Sequence, residues 1–286
     1  MVTLDIHTLN QFREKTFRSS PENRISSIDQ ALDFINERGY VFFWPIKGIN
    51  FPSLWVSAAG DRLVVDSHDD PGHITWSWKD ELLPQKKCYY GRILYHRNAF
   101  LSLSATPYFY ALTPNYGNPE TDYLDQYQAG TMTMEAKSIY EALLEKGPMD
   151  TISLRKEARL SNTSNYSRFE RGLSSLQSEM KIIPTGVAPV GAWKYAFIYD
   201  LVHHVFPQII EEAHSISENQ ARDFIIDHYF QAVGAAELKQ ITHLFKWKEE
   251  IVIKSLDRLR ANATIAGEIS LPNSTSSLYC LNSLLN

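Results

Sequence analysis

The chain has 286 residues, with 28 Lys and Arg against 33 Asp and Glu, which gives a formal net charge of -5 at pH 7. This balance excludes a histone-like polycation that binds nucleic acid through bulk charge. Hydrophobic residues make up 44% and charged residues 21%, a composition that fills hydrophobic cores and argues against long disordered segments. The length fits two or three domains.

Two further features of the composition narrow the class of protein. No run of eighteen apolar residues occurs, and polar residues interrupt the N-terminal segment, so we expect neither a membrane span nor a signal peptide. We therefore expect a cytoplasmic protein with no membrane partner. Cys88 and Cys280 are too few for a disulfide scaffold or a thiolate metal cluster, and we expect no metal, no cofactor and no redox chemistry.

The first part of the chain is rich in aromatic residues. Of the 35 Phe, Trp and Tyr residues, 18 fall within residues 40–127, which is less than a third of the chain. Before this region, helical spacing of apolar residues predicts two short helices over residues 5–18 and 27–38, the second ended by Gly39. The region itself begins with a β-branched and aromatic strand that runs into a turn rich in proline and glycine.

Further along, the pattern predicts a loop over residues 67–72 and a helix over residues 78–83. From residue 131 the chain has good helix formers and regularly placed stops, which predict a helix, a short second helix over residues 153–160 and a third over residues 166–181. The segment IIPTGVAPVGAWKYAFIYDLV then alternates strand formers with Gly and Pro. Such a two-stranded wing after a helix-turn-helix is typical of a winged helix.

The same order of elements recurs near the end of the chain. A helix ending at residue 230 is followed by a short helix over residues 238–245, a long helix over residues 247–260, and then strand, turn and strand. The order recurs while the residues do not, which indicates a repeated supersecondary unit. The sequence thus predicts an α+β fold of three winged-helix-like domains, over residues 1–128, 129–214 and 215–286.

Three segments of the chain resemble a known family: GYVFFWPIKGINFPSLW, RFERGLSSLQSEMKIIPTG and QARDFIIDHYFQAVGAAELKQITHLFKW. The chain is similar to the AlkZ/YcaQ family of interstrand-crosslink DNA glycosylases, whose members place tandem winged-helix domains around a concave DNA channel. The resemblance implies this architecture and double-stranded DNA as the partner. The larger members continue into a C-terminal β-barrel, which we do not expect in this chain.

The resemblance also implies a departure in the chemistry. Family members carry a Gln-x-Gln or Gln-x-Asp pair that positions the attacking water, and the alignment puts Phe42 and Trp44 at those positions. An aromatic ring accepts no proton and holds no nucleophilic water through a lone pair. No Gln or Asp lies between Gly39 and Asn50, so a small shift of the alignment does not restore the pair.

The segment His68-Asp69-Asp70-Pro71-Gly72-His73 is the part of the sequence richest in potential catalytic groups. Two histidines and two aspartates within six residues can ligate a divalent metal or supply a base for a water. Asp-Pro-Gly is also ordinary turn chemistry, in which the carboxylates cap local backbone. If a catalytic base is present, Asp69 or Asp70 is the candidate.

Aromatic side chains in the first domain are candidates for base stacking or for a wedge that unstacks a duplex. Phe42 and Trp44 lie in the first strand, where the alternative is burial in the core. Trp76 and Trp78 alternate as if on one face of a strand or beside a turn, and their alternative role is packing.

Basic residues supply the candidate DNA contacts. Lys86, Lys87 and Arg92 alternate with aromatic residues, although a solvated basic face has the same pattern. Residues 151–181 carry six bases and three acids, a net charge of +3, whereas residues 219–281 carry seven of each and are more typical of a structural copy. The contacts predicted in the middle domain are Arg155, Lys156, Arg159, Asn165, Tyr166, Arg168 and Arg171.

The favoured interpretation is a protein that binds damaged or distorted DNA without the catalytic pair of the family. One alternative is an active monofunctional glycosylase that cleaves the N-glycosidic bond of alkylated bases, and another is a transcriptional regulator or protein-interaction module. His203 and His204 look like a metal pair, but adjacent residues of a strand point to opposite faces, and we assign them to packing and surface.

Overall fold

The computed structural model describes residues 3–65, 70–115, 117–270 and 277–285. Asp69, one of the two candidate carboxylates, lies outside the described residues. The first two helices, α1 (Ile6–Phe17) and α2 (Ile28–Arg38), confirm the N-terminal prediction. Within the described ranges, no helix is long and apolar enough to cross a lipid bilayer.

The aromatic-rich region folds as the first of three similar units, which we call unit 1 (residues 28–102). Its order is helix, strand, helix, helix, strand, strand, and its antiparallel sheet has the third strand in the middle. After α2, the elements are β1 (Tyr40–Phe42), α3 (Leu54–Ala59), α4 (Ile74–Gln85), β2 (Cys88–Leu94) and β3 (Arg97–Ser102). The connection to the next unit contains α5 (Thr106–Tyr110) and α6 (Asp122–Gln128).

Unit 2 (residues 134–201) and unit 3 (residues 218–281) repeat this order and this strand arrangement. Unit 2 consists of α7 (Met134–Lys146), β4 (Met149–Asp150), α8 (Thr151–Glu157), α9 (Tyr166–Ser178), β5 (Ile182–Ala188) and β6 (Ala196–Leu201). Two short helices follow, α10 (Val202–Val205) and α11 (Pro207–His214). Unit 3 consists of α12 (Glu218–Val233), β7 (Ala235–Ala236), α13 (Leu238–Phe245), α14 (Glu249–Ala261), β8 (Ile265–Ile269) and β9 (Leu278–Leu281).

The predicted α+β fold of tandem winged helices is therefore confirmed. In each unit the second and third helices form a helix-turn-helix, and the last two strands form the hairpin that serves as the wing.

A glycine ends the first helix of every unit at the same place. Gly39, Gly147 and Gly234 have φ of +76°, +79° and +75°, a backbone conformation that side chains with a Cβ rarely adopt. At Gly234 a Cβ would also lie 2.8 Å from Leu284 Cδ1. The reversal lets the first strand pair with the third strand immediately after the helix.

One hydrophobic core joins units 1 and 3 and includes Met180 and Ile183 of unit 2, while most buried residues of unit 2 form a second core. The Tyr40 hydroxyl in unit 1 donates to the carbonyl of Ile225 in unit 3 at 2.7 Å. Phe51 stacks on Tyr229 with ring centres 5.7 Å apart, and one buried cluster includes residues of both units. In unit 2 a separate cluster fills the space between its helices and sheet. Unit 3 thus packs directly against unit 1.

Two local predictions are wrong. The helix predicted over residues 78–83 begins at Ile74 and so contains both Trp76 and Trp78, which are not on a strand. Positions two apart on a helix point in nearly opposite directions, and Trp78 is buried while Trp76 is 39% exposed. His203 and His204 lie in α10, also not on a strand, with ring centres 4.4 Å apart.

Candidate nucleic-acid interface

The helix-turn-helix of unit 2 is fixed by local sequence at both of its helices. Asp150 caps α8, because its Oδ1 accepts from the backbone N–H of Ile152 at 2.9 Å. A turn of 3-10 helix, Thr163–Asn165, leads into α9. On the buried face of α9, Gly172 lets α7 approach closely, since a Cβ there would lie 3.1 Å from the Ala136 nitrogen. The opposite face of α9 is left open.

Four of the predicted DNA contacts form an exposed cationic face on this helix pair. Lys156 and Arg159 project from the end of α8, and Arg168 and Arg171 from α9. Arg168 Nη1 lies 3.3 Å from Oε1 of the half-buried Glu135, while the Arg168 side chain itself is exposed and can also reach a phosphate. We call these four residues the cationic face.

The remaining predicted contacts in unit 2 differ in exposure. Arg155 is half-buried, with its guanidinium 4.6 Å from the centre of the Tyr166 ring and 4.8 Å from that of Phe169. Its Nη2 lies 3.6 Å from Glu170 Oε1, while its buried Nε has no hydrogen-bond partner among the described residues. Tyr166 is more than half exposed, and Asn165 is half-buried where α9 begins. The Arg155 guanidinium therefore packs on the Tyr166 ring and orients it.

The wing of unit 2 carries an aromatic residue that the sequence reading did not single out. Gly191–Lys194 form the turn between β5 and β6, and Trp193 within it is 91% exposed. The turn rests on α8, since a Cβ at Gly191 would lie 2.9 Å from Ile152 Cδ1. The available signal was a tryptophan followed by a lysine in a glycine-containing turn, between two segments already predicted as strands.

A cavity of about 560 Å³ lies between the hairpin of unit 1 and the helix pair and wing of unit 2. Six aromatic residues contribute to its walls, together with aliphatic side chains and a few charged and amide groups. The aromatic residues are Tyr90, Tyr166, Trp193, Tyr195, Phe197 and Tyr199, and the polar ones include Arg92, Arg155, Glu170 and Gln177. This mixture suits a flat ligand that has both π faces and hydrogen-bonding edges.

The basic residues predicted in unit 1 lie on its hairpin and separate into two groups. Lys86 and Lys87 are exposed where β2 begins, whereas Arg92 is half-buried further along and faces the cavity. Tyr89 and Tyr90 between them are buried in the core. The alternation of cations and aromatics therefore does not make a continuous basic strip.

Lys79 on α4 is completely buried at the contact between units 1 and 2. Its Nζ lies 4.6 Å from the centre of the Trp76 ring and 2.7 Å from Asp80 Oδ1. Loss of hydration lowers the pKa of Lys79, and the Asp80 carboxylate opposes that shift. This lysine carries no sequence signal of burial, because it stands between a tryptophan and an aspartate in an amphipathic helix.

With this geometry described, the chain can be compared with known proteins. A model of a protein family described as AlkZ related matches residues 25–246. The chain belongs to this AlkZ-related family. The match extends from just before α2 to the beginning of the loop between α13 and α14, so it includes all of units 1 and 2.

A comparison with solved structures supports the same fold. The DNA glycosylase AlkZ of Streptomyces sahachiroi matches with a TM-score of 0.59 and 10% sequence identity, over 98% of this chain and 71% of that chain. No curated protein sequence matches. The resemblance to the AlkZ family predicted from the sequence is therefore confirmed.

In this AlkZ-related protein, the first strand is packed on both faces. Phe42 is fully buried in the core shared with unit 3, and Phe43 is buried on the other side against α2 and α4. Trp44 is half-buried and lies 6.0 Å from Trp76, ring centre to ring centre, in an edge-to-face contact. Of these three side chains, only the Trp44 ring reaches solvent.

Asp70, the described member of the candidate carboxylates, is held in an ion pair. Its two oxygens accept from Arg62 at 2.6 and 2.7 Å, and Oδ1 also accepts from the backbone N–H of Gly72. The Arg62 hydrogen bonds lower the pKa of Asp70 to about 2. A carboxylate of such low basicity is a weak proton acceptor at neutral pH, and it caps the turn Pro71–His73.

Proposed function

We propose that this AlkZ-related protein binds double-stranded DNA at damaged or distorted sites and does not hydrolyse the N-glycosidic bond. The observation that carries the proposal is the cationic face of unit 2, whose four side chains are exposed in a chain whose net charge is negative. Counterion release from the phosphate backbone favours binding at such a face. The helix pair beside it has the shape that enters a major groove in other winged helices.

The cationic face has a defined geometry, which favours a specific contact over a diffuse attraction. Its four cations come from two helices whose relative position is fixed by the unit 2 core. Glu157, at the end of α8, is an exposed acid beside them and limits non-specific attraction. Side chains on rigid helices can meet phosphates at set spacings and so position the protein on a duplex.

Absence of glycosylase chemistry is the second part of the proposal. The residues aligned with the family's water-positioning pair are Phe42 and Trp44, and the Asp70 carboxylate is paired with Arg62. Neither arrangement offers a basic group that can accept a proton from an attacking water.

The binding test compares three fluorescent duplexes of one sequence: intact, alkylated, and carrying a mismatch. We expect anisotropy titrations to give tighter binding to the alkylated and mismatched duplexes than to the intact one. Charge reversal at Lys156 and Arg159 should abolish binding to all three. The matched control reverses Lys248 and Lys254, two exposed lysines of unit 3, and should bind like the original protein. Equal affinity for all three duplexes would contradict the proposed preference.

An active glycosylase is the second candidate, because the solved structure that this chain resembles is named as a DNA glycosylase. The test incubates the protein with alkylated duplex and then cleaves abasic sites with alkali. We expect intact strands and no free base, at enzyme concentrations that saturate binding. Strand scission above the level without protein would establish the glycosylase, and Asp70→Asn would then show whether Asp70 contributes. A strong preference for one undamaged sequence would instead favour the regulator.

A further inference from the structure

The wing of unit 2 exposes a large apolar ring that has no packing role in the described residues. Trp193 is 91% exposed, although tryptophan is highly buried on average. Its backbone is well fixed: Gly191 has φ of +81° and contacts α8, and the N–H of Lys194 donates to the Gly191 carbonyl at 3.1 Å. A rigid turn that presents an indole to solvent is suited to insertion into an apolar or stacked partner.

The same tryptophan also stands at the edge of the 560 Å³ cavity between units 1 and 2. The cavity volume falls within the range of about 300–1,000 Å³ that is usual for small-ligand sites. Tyr166 and Tyr195 add exposed rings to its walls, while Glu170 supplies an acceptor. The Arg155 Nε, buried without a partner, supplies a donor. Rings that stack and polar groups that reach an edge are the two requirements for holding a nucleobase.

We propose that Trp193 enters the base stack of a distorted duplex and that the displaced nucleotide lodges in this cavity. The inference rests on the proposed DNA binding and names the ligand of the site, a single unstacked nucleotide. The inserted side chain replaces the stacking contacts that the displaced base made in the duplex. The aromatic residues of the cavity then stack on the displaced base. No covalent step is involved.

The mechanism gives a physical reason for a preference for damaged DNA. A mismatched or alkylated base has weaker pairing, so extruding it needs less free energy than extruding a base from an intact pair. Lys194, next to Trp193 in the turn, is placed to contact the backbone phosphates while the ring is inserted. Insertion of the wing would therefore depend on the free energy needed to unstack the base, and the cationic face would provide the affinity for the duplex.

The test places 5-iodouracil at a mismatch in a duplex and irradiates the complex, so that the base crosslinks to an aromatic side chain in contact with it. Peptide mass spectrometry then locates the crosslink, and anisotropy under the same conditions measures binding. We expect crosslinks to Tyr166, Tyr195 or Tyr199. Trp193→Ala should still bind but lower the crosslink yield per bound complex at least tenfold. Leu63→Ala, the control, removes another exposed apolar side chain that does not line the cavity and should keep the yield per bound complex.

A second variant tests the cavity separately from the wedge. Asn98→Trp fills the cavity from the wall formed by unit 1, and it should lower the crosslink yield at least tenfold while binding persists. Crosslinks confined to Trp193 or to residues outside the cavity overturn the inference, as does a yield unchanged by Trp193→Ala. Binding by the original protein without a cavity crosslink refutes only this inference. No binding at all refutes the proposed function with it.

Discussion

The Nζ of Lys79 in unit 1 lies 4.6 Å from the centre of the Phe197 ring in unit 2. This ammonium group also donates to the hydroxyl of Tyr195, which in turn donates to Asp80 Oδ1 at 2.8 Å. Because both units contribute to one buried cation site, their relative position depends on it. That position also sets the width of the cavity, since Tyr195 and Phe197 are among its walls.

Shortening Lys79 should therefore loosen the contact between units 1 and 2. Lys79→Ala leaves a space between the rings and removes the partner of Asp80, and we expect it to lower the free energy of unfolding by about 3 kcal/mol. Lys79→Met fills most of the space with no charge to dehydrate, and should lower it by no more than about 1 kcal/mol. Urea unfolding measures both. Equal losses in the two variants would show that the side-chain volume is unimportant there.

Much of the fold could be predicted from sequence because residues that end helices and strands mark the elements of the repeated unit. Helix stops such as Gly147, and strand pairs separated by Gly and Pro, predicted the helix-turn-helix and wing of units 2 and 3. Unit 1 was harder to predict, because its second helix is short and the sequence before α4 has no periodic pattern. Trp76 and Trp78 were compatible with a strand, because side chains two positions apart lie on the same face of a strand.

The candidate site was predictable only in part. The exposed cations of α8 and α9 followed from local charge, which a sequence records directly. The cavity and the burial of Lys79 did not, because both arise where units 1 and 2 meet, and no local pattern encodes that contact. The exposure of the Trp193 ring could not be predicted, because tryptophan is highly buried on average.

A glutamine in place of Phe42 should destabilise the fold and should not create an active site. Phe42→Gln removes a ring from the core shared by units 1 and 3 and buries an amide, and we expect a loss of about 3–5 kcal/mol. Trp44→Gln, at a half-buried position, should cost less. Thermal unfolding measures both variants. A stable Phe42→Gln protein that releases alkylated bases would contradict the expectation and show a latent glycosylase site.

The number of phosphate contacts made by the cationic face can be counted from salt dependence. Each lost contact reduces the slope of log K against log salt concentration by about one. Lys156→Ala with Arg159→Ala should therefore reduce the slope by about two, and Lys248→Ala with Lys254→Ala should leave it unchanged. Anisotropy titrations between 50 and 200 mM salt, the range in which such slopes are resolved, provide the measurement. An unchanged slope in the first variant would place the phosphates on another surface.

Acid should destabilise the protein through His203. Burial, with a smaller effect of the neighbouring His204, lowers the pKa of His203 to about 4, even though Glu120 and Asp200 oppose the shift. The buried Nε2 has no hydrogen-bond partner among the described residues, so the ring gains nothing from a proton. The unfolded chain, with an ordinary histidine pKa of about 6.5, binds the proton at a higher pH than the folded chain.

The sign of the effect follows from proton linkage. Between pH 6.5 and pH 4 the unfolded state binds more protons, so the stability rises with pH in that window and is lost as the pH falls. We expect a loss on the order of 1–2 kcal/mol from this residue, allowing for the part of the ring that faces solvent. His203→Gln has no such proton to bind and should unfold with a flatter pH profile in urea. His204→Gln, the exposed neighbour, should keep most of the loss, and identical profiles for the two variants would assign the acid sensitivity to another group.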